Sequence, residues 1–140
     1  MSHVETVQQV YAAFGRGDIP SILELMSDDV RWEHWEDSFA ARAGLTSLSP
    51  RDGRDGVAGF FGAIADWDVS EFSVLDLAAS EHQVIAEIVI EATLPNGGRF
   101  RDEELHLWGF DSEGKINRMR HYVDTAKHIA AERGEDTTSG

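Results

Sequence analysis

Apolar residues recur every three or four positions through Val4, Val7, Val10, Tyr11 and Phe14, a period that predicts an amphipathic helix. The stretch GRGD at residues 15–18 stops it with two glycines. Asp18 is placed to cap a second helix, with Pro20 in the first turn and Ile22, Leu23, Leu25 and Met26 facing inward. The period then shortens to two. DVRWEHW, residues 29–35, predicts a strand on which Trp32 and His34 share one face, while Arg31, Glu33 and Trp35 share the other. Residues 36–53 have no strong period, and a long loop in a small domain is often functional, here as a lid. A third helix is expected over 54–67, burying Val57, Phe60, Phe61 and Ile64.

Beyond it the alternation predicts four strands, at residues 70–80, 82–94, 98–110 and 115–124. Turns at Ser80–Glu81, PNGG and DSEGK join them as successive antiparallel hairpins. Asp124 reads as the N-cap of a short helix, TAKHIAAER, and GEDTTSG reads as a frayed end. The chain is therefore expected to form one domain over 1–133 with a flexible tail at 134–140. Its fold class is α+β, with helices packed on one face of a curved, mostly antiparallel sheet. The strand at 83–94 is apolar on both faces: Val84, Ala86, Ile88, Ile90, Ala92 and Leu94 on one, Ile85 and Val89 on the other. A sheet of that kind needs a second cover, which predicts a homodimer through its outer face.

Composition removes several function classes. The 140 residues suit one sizeable core, with 41% hydrophobic and 27% charged residues. A net charge of −14 with no basic cluster argues against nucleic acid and against anionic membranes. No cysteine offers a disulfide or a thiolate. MSHVETVQQVY lacks the basic start and apolar core of a signal peptide, and no apolar run spans a bilayer, so a cytoplasmic location is expected.

Three stretches, VYAAFGRGDIPSILELMSDDVRWEHW, GRDGVAGFFGAI and LWGFDSEGKINRMRHYVDTA, resemble the nuclear transport factor 2-like superfamily in its ketosteroid isomerase-like and SnoaL-like polyketide cyclase branch. The resemblance implies a cone-shaped α+β barrel around an apolar cavity, and a homodimer through the outer sheet face. Fold and chemistry are separate inferences, because this fold hosts isomerases, cyclases, hydrolases, dehydratases and binding modules. By position, the isomerase's carboxylate base would fall on His34 and its protonated aspartic acid on His106. Its tyrosine would fall on Val10, one residue before Tyr11. The acidic residue that SnoaL-like cyclases and limonene epoxide hydrolases carry on the last strand would fall on His121. The hydrolase's Arg and Asp would meet Glu87 or Ile88 and Val89 or Ile90, so its triad is absent.

Alternation independently places Asp102, Glu104, His106 and Trp108 on one face, and Met119, His121 and Val123 on the facing side of the next strand. These predict a pocket floored by Trp32, Trp108, Met119 and Val123, edged by His34, His106, His121 and Glu104, with Tyr11 nearby. His34, His106 and His121 are the candidate catalytic residues. The base would be His34 or His121, and His106, protonated or with Tyr11, would hold the developing enolate oxygen. His3, His82 and His128 are expected in solvent. No H-x-H or H-x-x-x-H spacing suggests a metal, and no cofactor is expected. Two functions fit: cofactor-free acid–base catalysis on a small, largely apolar carbonyl or polyketide-like compound, or non-catalytic binding or dimerisation through the same cavity.

Overall fold

A computed structural model describes residues 1–139. Five helices and six strands follow the chain as α1 (His3–Gly15), α2 (Ile19–Glu24), β1 (Met26–Trp32), α3 (Phe39–Arg42), β2 (Arg51–Asp52), α4 (Gly53–Ala63), β3 (Asp68–Ala79), β4 (Gln83–Thr93), β5 (Arg99–Phe110), β6 (Ile116–Tyr122) and α5 (Thr125–Glu132). A single 3-10 turn, Thr46–Leu48, lies between α3 and β2.

Local chemistry explains the helix starts. Ser2 Oγ accepts from Glu5 N while Glu5 Oε1 accepts from Ser2 N, both at 3.1 Å, a reciprocal cap that satisfies two orphan donors of α1. Asp18 accepts from Ser21 N at 3.2 Å and starts α2 beside its proline. Asp124 occupies the N-cap position of α5, yet its side chain caps nothing; its backbone N–H instead donates to Asp102 Oδ2 at 3.1 Å.

The strands form one mixed, open sheet in the order β2-β1-β6-β5-β4-β3. Every neighbouring pair is antiparallel except β1 and β6, which run parallel and set Trp32 beside Met119. That parallel pair joins the two halves of the chain. Val7, Val10 and Ala13 of α1, Ile22 of α2 and Val57, Phe60 and Phe61 of α4 pack with Trp32, Val84, Trp108, Ile116 and Met119 of the sheet as the main core. The expected loop at 36–53 is instead folded into α3, the 3-10 turn and β2, and Ala40, Leu45 and Leu48 pack against Val123 and Ile129. At the chain end, Arg99 N donates to Glu135 O and Thr137 N to Arg99 O, which ties residues 135–137 of the expected tail to β5; Gly140 lies outside the described residues. No described helix is long and apolar enough to cross a membrane.

Gly98, in the β4–β5 turn, permits one close approach on which the site depends. A Cβ there would collide with the backbone carbonyl of Ala131, so only glycine lets the end of α5 settle against this turn. The same seating buries His128 on the inner side of α5.

Candidate functional site

A cavity of about 80 Å3 lies between α1, α4 and the concave face of the sheet. Its walls are almost wholly apolar and rich in aromatic rings. Tyr11, Trp32, Glu104, His106, Trp108, Met119, His121 and Val123 all line it, whereas His34 does not. Leu48, His121 and Val123 also border an open groove beside Trp35, Phe39 and Tyr122, so they form the wall between cavity and groove.

His34 is displaced by the backbone. β1 ends at Trp32, and Glu33 adopts φ 57°, the left-handed region that a non-glycine residue rarely occupies. Alternation fails there: Glu33 turns inward and is 2% exposed, while the His34 side chain is half-buried and lies off the cavity. His34 Nδ1 lies 3.1 Å from Arg31 Nη2, and its Nε2 is 2.8 Å from Asp52 Oδ1, within ion-pair distance though not in hydrogen-bonding geometry. Arg120 Nε donates to the His34 carbonyl at 2.7 Å. The face shared by Trp32 and His34, expected from the period, does not exist.

Glu33 takes the inner place. Its Oε1 accepts from the His121 backbone N–H at 2.6 Å and is paired with His121 Nδ1, while Oε2 accepts from Trp35 Nε1 at 2.8 Å. Burial alone would raise the Glu33 carboxyl, but the charge and hydrogen bonds of His121, joined by Trp35, outweigh it and hold it below the usual range. An ionised carboxylate only accepts, so His121 donates through Nδ1, and in the neutral form of an imidazole held that way the lone pair is on Nε2. Among the described residues nothing engages that nitrogen. The ring sits among Trp32, Phe60 and His106, with centroids 5.7, 5.3 and 4.6 Å away.

His106 and His128 belong to a longer, closed chain of hydrogen bonds. Trp108 Nε1 donates to the Tyr11 hydroxyl at 3.0 Å, Tyr11 lies 2.8 Å from His106 Nδ1, and His106 Nε2 lies 3.0 Å from Glu104 Oε1. Glu104 Oε2 and Asp102 Oδ2 are 3.0 and 2.9 Å from His128 Nε2. Burial opposes the Glu104 charge, but hydrogen bonds from His106 and His128 overcome it and keep the carboxyl well below its ordinary range. Burial also opposes the His128 cation, yet Asp102 and Glu104 raise it to about 9. Burial pushes Asp102 up, partly offset by His128.

His106 is the opposite case: burial, aided by the charge of His121, lowers it despite Glu104, so the ring is neutral. Glu104 takes its single N–H, Nδ1 is left as an acceptor, and Tyr11, kept protonated by burial, donates to it. Of the two forms expected for His106, protonated or acting with Tyr11, the hydrogen bonds match the second, and both ring nitrogens are in use. His128, expected in solvent, is buried, and His3 stacks on Phe110 with ring centroids 4.0 Å apart.

Asp102, Glu104 and His128 place three possible metal-ligand atoms within 4.8 Å of one another. Each of these atoms already takes part in the hydrogen bonds just described, and a cation there would have to displace the proton that bridges them. Sequence reasoning missed Glu33 and His128. Nothing in the sequence signals the left-handed turn at Glu33. For His128 a signal exists: two carboxylates alternating inward on β5 require a buried cation, and His128 shares a helix face with buried Ala131.

Residues 7–119 match the family model of the SnoaL-like domain. Among solved structures, an NTF2-like protein of unknown function from Burkholderia pseudomallei is 26% identical, with 92% of this chain and 96% of that one covered and a TM-score of 0.77. TerC, co-crystallized with polyporic acid, is 25% identical over 93% of this chain and 98% of its own, with a TM-score of 0.75. A candidate polyketide cyclase from Xanthomonas campestris pv. campestris shares the fold at 21% identity, over 92% and 95% of the two chains, with a TM-score of 0.69. No curated protein matches the chain.

Proposed function

The chain belongs to the SnoaL-like family, and we propose that it is an enzyme moving a proton, without a cofactor, on a compact and largely apolar carbonyl or polyketide-like compound. One observation carries this reading: buried Glu33 occupies His121 Nδ1 and leaves Nε2 free at the wall of an apolar cavity. A carboxylate behind an imidazole fixes its tautomer and stabilises the imidazolium that forms when it takes a proton. In this scheme Nε2 removes a proton from carbon next to a carbonyl, and the C–H electron pair becomes an enolate. Return of that proton to another atom of the same compound completes an isomerisation. Attack of the enolate carbon on a second carbonyl carbon, with the proton passed to the new alkoxide, completes a cyclisation. Dry aromatic walls strengthen each polar contact. His34 has no part in it.

The test is exchange of carbon-bound protons in heavy water, followed by NMR over a panel of aromatic carbonyl compounds with polyporic acid included. Exchange that His121→Gln abolishes supports the reading. Saturable binding without exchange for any member would favour a ligand-binding module instead. We also propose a homodimer through the outer sheet face, because Ile85, Leu105 and Tyr122 are 38%, 45% and 42% exposed there. Sedimentation finding only monomer at micromolar concentration would end that proposal.

A further inference from the structure

The left-handed turn at Glu33 is held from several sides. Its backbone N–H donates to the Met119 carbonyl at 2.8 Å, and the His34 carbonyl just after it accepts from Arg120 Nε at 2.7 Å. His121 supplies the third tie, from its backbone N–H and its ring to Glu33 Oε1. All three come from consecutive residues of β6. A strained backbone persists only where its surroundings over-determine it, and these ties do that. They leave Glu33 Oε2 unserved. Among the described residues its donor is Trp35 Nε1, at 2.8 Å. Trp35 is itself held: the Arg120 guanidinium lies over its ring, 4.6 Å from the centroid, and the Tyr122 ring meets it edge-on at 4.8 Å.

We propose that Trp35 is a positioning residue for His121. Its indole N–H, held in place by Arg120 and Tyr122, keeps the Glu33 carboxylate on the imidazole and so fixes which ring nitrogen carries the proton. The physical reason is the cost of an anionic oxygen without a partner. Remove the indole N–H and Oε2 becomes a buried, charged acceptor with nothing to accept from. An outlet lies beside it, because Glu33 and Trp35 both border the open groove. A carboxylate turned toward solvent there releases His121 Nδ1. The tautomer of an imidazole is set by the partner of one nitrogen, and no described residue engages Nε2, so Glu33 makes the choice. Trp35 does not line the cavity and therefore acts through Glu33 rather than on the compound. The inference deepens the proposed function and rests on it for the use of the free nitrogen.

The lock is read without a substrate, by nitrogen NMR of the histidine rings at a pH high enough that the His121 signals no longer move. In the unmodified protein His121 should show one tautomer, with Nδ1 protonated and Nε2 bare. Trp35→Phe keeps an aromatic ring against Arg120 and Tyr122 but removes the N–H. The two His121 signals should then move toward each other as the second tautomer mixes in. His106 and His128, whose hydrogen bonds do not involve Trp35, should keep their signals and report an intact fold. The unmodified protein gives a second reading that does not depend on the variant folding. Its Trp35 indole proton should exchange with heavy water about tenfold or more slowly than that of free tryptophan. Unchanged His121 signals in folded Trp35→Phe overturn the inference, since a ring that merely packs gives that result. A Trp35 indole proton that exchanges as fast as free tryptophan's overturns it too. Where carbon-bound protons of a compound do exchange, Trp35→Phe should slow that exchange about tenfold, less than His121→Gln does. Converging His121 signals with no carbon-proton exchange for any compound keep this inference and remove the catalytic reading. Exchange at full rate with unchanged signals does the reverse.

Discussion

Two buried histidine–carboxylate assemblies meet where the His106 and His121 rings pack 4.6 Å apart, and they differ in what they leave unpaired. Glu33 and His121 are one carboxylate and one imidazole, and a ring nitrogen remains free at the cavity. Asp102, Glu104, His128, His106 and Tyr11 form a chain in which each carboxylate and each ring nitrogen named above has its partner. The same side-chain types thus give a reactive group in one place and a clamp in the other. The number of partners decides, because a nitrogen already hydrogen-bonded has no lone pair or proton to spare.

The contrast is broken most sharply at His121. His121→Gln keeps a polar side chain but removes proton transfer, so turnover should fall ~10²–10⁴-fold while unfolding free energy changes by about 1 kcal/mol. At His128 the balance should invert. His128→Leu strips the cation from two buried carboxylates, and denaturant unfolding should show a loss of about 3–5 kcal/mol.

Stability against pH sharpens the comparison further. His128 is raised to about 9 in the folded protein, above its unfolded value near ~6.5. Its contribution is therefore complete below about 6.5 and is lost as pH rises through about 9, with a ceiling of about 3 kcal/mol. Glu104 is lowered, so its contribution is present above the ordinary carboxylate range and is lost on acidification. Urea unfolding across pH should show both flanks, and His128→Leu should flatten the alkaline one. The smallest effect is expected at His34→Gln, about 0.5 kcal/mol in stability with unchanged turnover, because the ring lies off the cavity. A large loss of activity there would restore His34 to the site and undo the comparison.

Much of the framework could be read from local pattern. The β5 alternation Asp102, Glu104, His106, Trp108 and the β6 alternation Met119, His121, Val123 both face inward, with His106 opposite His121 and Trp108 opposite Met119. Side-chain direction on a regular strand follows from backbone geometry alone, so the period suffices wherever the strand stays regular. It does not suffice at 33–34, where one left-handed residue exchanges the faces of Glu33 and His34.

Local pattern was enough for the order of the helices and strands outside residues 36–53, the inner faces of β5 and β6 and the apolar lining of the cavity, since each depends on neighbours a few residues apart. Tertiary structure alone decided which carboxylate meets which imidazole. Glu33 and His121 are 88 residues apart and meet because β1 runs parallel to β6. His128 reaches Asp102 and Glu104 because α5 closes over a turn that only Gly98 leaves open. Protonation follows those meetings, because the charge of a buried group is set by the partners that replace its water.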